Sequence, residues 1–132
     1  MNEPKYLFSK VELVGSRIVP NAVNQYSDWD YLCMPKWYYT PFNYYNKKLL
    51  AEGYQNCIGI ASDSARYPTS YFNIYRKNSI NLIVTSHTSY YDNFLKAAYL
   101  CKIMRITDRA KRVAIHQFLL YGNDEPLKAY YK

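Results

Sequence analysis

The sequence predicts an α+β fold in which helices pack on one face of a small mixed β-sheet. Up to about Thr85, the chain consists of short segments rich in Val, Ile, Tyr and Phe, a composition typical of strands separated by turns. After Ser86, apolar residues recur at intervals of three and four, which predicts helices. The 132 residues contain no linker, low-complexity tract or repeat. We therefore expect a single domain over residues 1–132, with the sheet and the candidate site in 1–86 and a helical pair in 87–123.

Two strands are predicted first. Residues 9–14 alternate polar and apolar side chains, which predicts a half-buried strand that stops at Gly15. Residues 17–24 follow as a loop or short helix. Residues 29–34 form a second strand, which ends at Pro35 because proline cannot donate to a sheet ladder.

A helix and three further strands follow in the first half. We predict the helix over residues 42–52, entered through Pro41 and followed by Gly53 at its C-terminal end. The strands are predicted over residues 54–60, 71–76 and 80–85. The last two are separated by Lys77-Asn78-Ser79, whose turn chemistry predicts an antiparallel hairpin.

Two helices are predicted in the second half. The hydroxyls of residues 86–89 are N-capping candidates for a helix that runs to about Arg105. Its apolar face comprises Tyr91, Phe94, Leu95, Ala98 and Cys101. Thr107-Asp108 caps the other helix, which stops at Gly122-Asn123. Its predicted inward stripe comprises Ala110, Val113, Ala114, Gln117, Leu120 and Tyr121.

Composition narrows the class of protein. The longest apolar runs are far shorter than the ~20 residues that span a bilayer, so a transmembrane protein is excluded. The first residues lack the pattern of a secretion signal, and we expect a cytoplasmic location. Three scattered cysteines without a CxxC pair predict buried thiols rather than zinc ligands. Serine-protease order, Walker A, GxGxxG and heptad patterns are absent from the sequence.

Charge and tyrosine content indicate what the protein could bind. The formal net charge is +7, and residues 64–91 contain no acid, which favours anionic partners. The 17 tyrosines either line the edges of the core and partner contacts or, in clusters such as Trp37-Tyr38-Tyr39 and Tyr44-Tyr45, provide stacking platforms for bases.

One combination of residues predicts a functional site: a strand ending in Gly15-Ser16, and a second strand opening with Asp28-Trp29-Asp30. Side chains two apart on a strand point to the same side, so both carboxylates would lie at one strand end and need a cation. Mg²⁺ suits them, because it takes oxygen ligands from one or two carboxylates and from substrate phosphates. Gly15 lets a phosphate approach the backbone, and the amide and hydroxyl of Ser16 can donate to it. The pattern predicts a binding site for a metal-bound triphosphate.

This Gly-Ser to Asp-x-Asp pattern, over about residues 8–34, resembles the nucleotidyltransferase superfamily of DNA polymerase beta, and especially its minimal single-domain members. The resemblance implies the nucleotidyltransferase type of mixed sheet. Residues 73–76, 80–85 and 120–123 are additionally similar to small tailed-bacteriophage proteins described as nucleotidyltransferases.

The resemblance implies transfer of a nucleoside monophosphate from an NTP to an acceptor hydroxyl, with magnesium ions held by three carboxylates. Asp28 and Asp30 take the first two positions as metal ligands, and Asn81 occupies the third catalytic position. An amide cannot accept the proton of the acceptor, and loss of a general base costs about 10²- to 10⁴-fold in rate. Asp63 is the nearest candidate for a substitute, although its setting predicts a loop.

Several basic residues have open roles. Arg17, directly after Gly-Ser, either reaches a phosphate or is a surface cation. His87 is predicted as a surface residue near a helix start, and His116 as a partly buried helix residue. A basic group at the turn between the helices is either a solvated face or a contact for nucleic acid or an acidic protein; it comprises Arg105, Arg109, Lys111 and Arg112.

Two functions stay open on the sequence. The chain is either a magnesium-dependent nucleotidyltransferase acting on RNA, a protein or a small molecule, or a catalytically degenerate phage accessory protein that binds a host protein or nucleic acid. The third carboxylate position discriminates between them. The sequence does not determine the oligomeric state.

Overall fold

In a computed structural model of the chain, residues 5–37, 41–57 and 72–130 are described. The strands are β1 (Phe8–Val14), β2 (Trp29–Pro35), β3 (Gln55–Asn56), β4 (Asn73–Lys77) and β5 (Ile80–Val84). The helices are α1 (Phe42–Ala51), α2 (Thr88–Ile103), α3 (Arg109–Tyr121) and α4 (Glu125–Lys128), with 3₁₀ turns at Lys5–Leu7 and Gly15–Ile18. None of the helices within these ranges is long and apolar enough to cross a bilayer. Asp63 and the Tyr38-Tyr39 pair lie outside the described residues.

The five strands form one mixed sheet in the order β1-β2-β5-β4-β3. β2 and β5 run parallel in the middle, and the other pairings are antiparallel. The chain therefore leaves β2, builds α1, β3 and β4, and returns with β5 between β2 and β4. The predicted α+β class and mixed sheet are confirmed. The register pairs Asp30 with Asn81 across β2 and β5, and Asn81 with Arg76 across β5 and β4.

Helices cover both faces of the sheet. The sequence predicted helices on one face, and the structure adds α1 on the other. Successive strand side chains point to opposite faces. On β2, Tyr31 and Cys33 pack in a buried cluster with Tyr45 and Leu49 of α1. Leu32, between them, packs on the other face in a cluster with residues of α2. The α2 members of that cluster are Tyr90, Tyr91, Phe94 and Ala98. Helix α1 thus lies on the face opposite to α2.

Local signals set both ends of α3 and the turn between β4 and β5, whereas α2 begins after His87 without a side-chain cap from the predicted hydroxyls of residues 86–89. Asp108 caps α3, since its side chain accepts a hydrogen bond from the Ala110 amide. Gly122 ends α3 in the left-handed conformation. The hairpin between β4 and β5 turns through Asn78 and Ser79, because Lys77 already pairs with Ile80.

Two predictions of detail differ from the structure. The strand expected over residues 54–60 is assigned only at Gln55–Asn56, and residues 58–60 lie outside the described part. The predicted inward stripe of α3 is wrong at Ala110, which is exposed. The buried residues of α3 are instead four consecutive ones, Ala114, Ile115, His116 and Gln117. Ala114 and Ile115 share a buried cluster with residues of α2 and with Leu127 of α4, so α3 is covered on adjacent sides.

Thiols and tyrosines divide between the core and the surface. The three cysteines are free thiols; Cys33 and Cys101 are buried, and Cys57 is partly exposed. Of the Tyr44-Tyr45 pair, Tyr45 is buried in the core and Tyr44 is exposed. Only one ring of this pair is therefore available for stacking from solvent.

Candidate functional site

The sheet brings Asp28, Asp30 and Asn81 together at one strand end. Asp30 lies on β2 directly opposite Asn81 on β5. The Asn81 Nδ2 atom donates to Asp30 Oδ1 at 2.9 Å and to Asp28 Oδ2 at 3.4 Å. The amide therefore bridges both carboxylates.

Arg76 completes this cluster, and sequence reasoning missed it. Its Nη1 atom donates to Asp28 Oδ2 at 3.1 Å, and its Nη2 atom donates to Asp28 Oδ1 at 3.1 Å. Nη1 also donates to Asn81 Oδ1 at 2.9 Å. The predicted hairpin did not give this contact, because its three-residue connection Lys77-Asn78-Ser79 would pair Arg76 with Ile80, whereas the observed two-residue turn pairs Arg76 with Asn81. We refer to Asp28, Asp30, Arg76 and Asn81 as the strand-end cluster.

Gly15 lies directly against this cluster. Its φ is +78°, a backbone conformation that favours glycine. A Cβ atom at this position would clash with Asp30 Oδ2 and lie 3.2 Å from Asp30 Cβ and Cγ. The glycine is thus required by the close approach of Asp30, whatever else approaches the backbone there.

Ser16 and Arg17 lie in the same 3₁₀ turn, Gly15–Ile18, but make different contacts. Ser16 lines the cavity beside the cluster. Arg17 does not line that cavity: its guanidinium lies 3.9 Å from the centroid of the Trp29 ring, and its Nη2 donates to the Ser27 carbonyl at 2.7 Å. These contacts tie the loop before β2 to the turn after β1.

A cavity of about 770 Å³ lies between the sheet and helices α2 and α3. Its charged part comprises Asp28, Asp30 and Arg76 of the strand-end cluster and Arg109 and Arg112 of α3. These three arginines and two aspartates give the lining a formal net charge of +1. Another part of the lining is apolar and includes Ile74, Ile83, Phe94, Ala98 and Val113.

The beginning of α3 is built to hold its arginines at the cavity. The Asp108 cap fixes the first turn. The Arg112 Nη1 atom donates to the carbonyls of Ile106 and Thr107 at 3.1 and 2.6 Å, which ties the guanidinium to the loop between α2 and α3. Arg109 lies near enough to Asp30 to lower the pKa of that carboxyl, although other effects outweigh it.

Burial dominates the electrostatics of Asp30. Desolvation raises the pKa of the Asp30 carboxyl above its usual 3.8, and the hydrogen bond from Asn81 opposes that rise. Asp28 raises it further, and Arg76 lowers it. Hydrogen bonding to Asp28 in turn raises the pKa of Arg76. The cluster thus contains a fixed cation.

The two histidines lie in different settings. His116 is buried in the cavity wall, with its ring edge-on to Phe94 at 4.9 Å and its Nδ1 atom 2.8 Å from the Arg112 carbonyl. Burial lowers the pKa of His116 to about 4, so the ring is neutral at pH 7. His87 is exposed at the start of α2, where its amide donates to Thr85 Oγ1 at 3.1 Å. Both positions agree with the sequence prediction, except that His116 is fully rather than partly buried.

The donor set does not fit magnesium as it is arranged. Both oxygens of Asp28 are held by Arg76, Asp30 Oδ1 is held by Asn81, and Asn81 brings no charge. Within residues 5–37, 41–57 and 72–130, no group of three His, Cys, Asp or Glu side chains could hold a metal ion. The magnesium site at Asp28 and Asp30 stays a prediction.

Comparisons with known proteins do not identify a family. No family model matches the sequence, and no curated protein matches it. Among solved structures, the conserved protein GrpB from Enterococcus faecalis is similar at 16% identity and a TM-score of 0.45, covering 97% of this chain and 86% of that one. A likeness of this degree carries no argument about function.

Proposed function

We propose that the protein is nucleotidyltransferase-like and binds a nucleoside triphosphate in the cavity between the sheet and helices α2 and α3. The observation that carries the proposal is the composition of that cavity. Arg109 and Arg112 line it together with the strand-end cluster, and apolar side chains form another part of the lining. Its volume of about 770 Å³ lies in the range of ligand pockets. Because nucleoside triphosphates are abundant in the cytoplasm, the proposal includes a cytoplasmic location.

The proposal assigns the two parts of the cavity to the two parts of the ligand. Phosphates lie at the charged part, where Ser16 offers its hydroxyl and Arg109 and Arg112 offer guanidinium groups. The base lies against the apolar wall, which includes Ile83 and the ring of Phe94. The role of Arg17 is to hold the loop rather than to contact phosphate.

Transfer of a nucleoside monophosphate to an acceptor hydroxyl, on RNA or protein, is a second candidate. One observation favours it: residue 81 lies opposite Asp30 on the neighbouring parallel strand, beside both carboxylates. The resemblance to nucleotidyltransferases puts the third carboxylate there. Asn81 cannot accept a proton, and Asp28 is paired with Arg76, so we propose binding with slow or no transfer.

Titration calorimetry with each of the four NTPs tests the proposed binding. Arg109→Gln is expected to weaken the affinity by roughly 10- to 100-fold, since a hydrogen bond to a charged group contributes about 1.5–3 kcal/mol. Lys102→Gln, on an exposed part of α2 that does not line the cavity, is the control with the same change of charge. We expect its affinity to stay within about twofold of wild type. If none of the NTPs binds the wild-type protein, the proposal is wrong.

Incubation with labelled NTPs and candidate acceptors decides between binding alone and transfer. Arg76→Gln combined with Asn81→Asp is expected to raise a weak transfer rate or create one, because it supplies a base beside Asp30 and removes the arginine that pairs with Asp28. Wild-type turnover near 1 s⁻¹ or faster, unchanged in the variant, would show that another group serves as the base. No turnover in either form, together with no nucleotide binding, would favour a protein that docks on a host protein or nucleic acid.

A further inference from the structure

We propose that the Arg76 guanidinium takes the place of a divalent cation in the strand-end cluster, so that the cavity binds the polyphosphate of an uncomplexed nucleotide rather than its magnesium complex. The inference rests on the proposed function for its ligand and on the geometry of Arg76 for its mechanism.

The guanidinium binds two of the three side chains that the resemblance assigns to the metal site, Asp28 and residue 81. It meets both oxygens of Asp28 and the Oδ1 atom of Asn81 at 2.9–3.1 Å. Asn81 then links the arginine to Asp30 through its Nδ2 atom. Although the side chain of Arg76 is 44% exposed, its fork is held by these three hydrogen bonds on two neighbouring elements. A cation at this position would have to displace it.

The donor and acceptor groups of the Asn81 side chain fit an arginine neighbour rather than a metal ion. Its carbonyl oxygen accepts from Arg76 while its amide nitrogen donates to Asp30. A carboxylate at position 81 could accept from Arg76 but could not donate to Asp30, and it would add a third like charge. The pair Arg76 and Asn81 is thus a self-consistent replacement for a metal ion and a third carboxylate.

Charge also favours the uncomplexed ligand. The cavity lining already carries a formal net charge of +1 from its arginines and aspartates. Magnesium removes two negative charges from a triphosphate, which weakens its attraction to Arg109 and Arg112. Because the strand-end cluster holds its own cation, the protein needs no ion brought by the ligand.

Calorimetry on the wild-type protein tests the ligand. ATP and inorganic tripolyphosphate are titrated once in EDTA and once in saturating Mg²⁺. We expect the affinity in EDTA to equal or exceed that in Mg²⁺. An affinity that rises by about tenfold or more in Mg²⁺ would overturn the inference while leaving the proposed nucleotide binding intact.

Electron paramagnetic resonance with Mn²⁺ alone tests the place of Arg76 without any nucleotide. The wild type is expected to bind no Mn²⁺ at the cluster, and Arg76→Gln combined with Asn81→Asp is expected to gain one site. Lys96→Gln combined with Asn81→Asp is the matched control, because Lys96 is exposed on α2 and does not line the cavity. This control keeps Arg76, and we expect no gain.

Each remaining outcome decides the question. Mn²⁺ bound to the cluster of the wild type, a folded Arg76→Gln/Asn81→Asp variant without Mn²⁺, or a control that gains the ion equally would each overturn the inference. Circular dichroism establishes whether the variants fold. The measurements on the wild-type protein test the inference even if a variant does not fold. If no polyphosphate binds in either solution, the proposed function and the ligand assignment fail together. The Mn²⁺ arms then decide the position of Arg76 alone.

Discussion

Replacing Gly15 with alanine is expected to destabilise the protein because two penalties fall on one residue. The first is backbone strain, since an L-residue in the left-handed region costs about 1–2 kcal/mol. The second is steric, since the new methyl group would overlap Asp30 Oδ2 and lie 3.2 Å from Asp30 Cβ and Cγ. Asp30 is held by Asn81 at 2.9 Å, so it cannot yield without losing that hydrogen bond.

Gly122→Ala is the matched control for the backbone penalty. Gly122 has a φ of +68°, close to the +78° of Gly15, and a Cβ atom there would have no other atom within 4 Å. We expect Gly122→Ala to lower the free energy of unfolding by about 1 kcal/mol. Gly15→Ala adds the displacement of Asp30, which brings its cost to about 2–4 kcal/mol.

Urea denaturation followed by tryptophan fluorescence measures both variants. Two-state unfolding curves give the difference in free energy directly, and the corresponding fall in Tm is roughly 3–5 °C for each kcal/mol in a chain of this length. Equal losses of stability in the two variants would refute the reasoning, because they would mean that Asp30 does not crowd Gly15.

Three further predictions concern titration and capping. His116 is neutral when buried, with a pKa of about 4 against 6.5 when unfolded, so stability should fall by on the order of 3 kcal/mol as the pH drops through that range; His116→Phe should abolish this fall in thermal melts. The Asp30 carboxyl holds its proton more tightly in the folded than in the unfolded chain. Its contribution to the free energy of unfolding should therefore decline as the pH rises above 3.8 through the raised pKa. This trend opposes that of His116, and melts of Asp30→Asn across the same range should lack it. Asp108→Ala should cost about 1 kcal/mol by removing the cap of α3, whereas Asp108→Asn should stay within a few tenths, as measured by urea denaturation.

The ends of α1 and α3 were predictable because they depend on chemistry within a few residues. Proline and glycine around α1, Asp108 before α3 and Gly122 after it act on the backbone beside them. The alternation of β1 and the Asp-x-Asp spacing of β2 likewise put residues on one side of a strand without reference to the rest of the chain. The candidate pair Asp28 and Asp30 and its neighbours Gly15 and Ser16 could therefore be found from the sequence.

The partners of those residues were decided by the tertiary structure. Local spacing fixes which residues lie on the same side of one strand, but the order β1-β2-β5-β4-β3 depends on burying both faces of the sheet against different helices. That order brings Arg76 to Asp28 across 48 positions, turns Arg17 onto Trp29, and brings the arginines of α3 to the cavity that the cluster lines. Contacts between distant residues follow from packing of the whole chain, and no local pattern encodes them. Hence the carboxylates were evident in the sequence, and the cation that pairs with Asp28 appeared only in the fold.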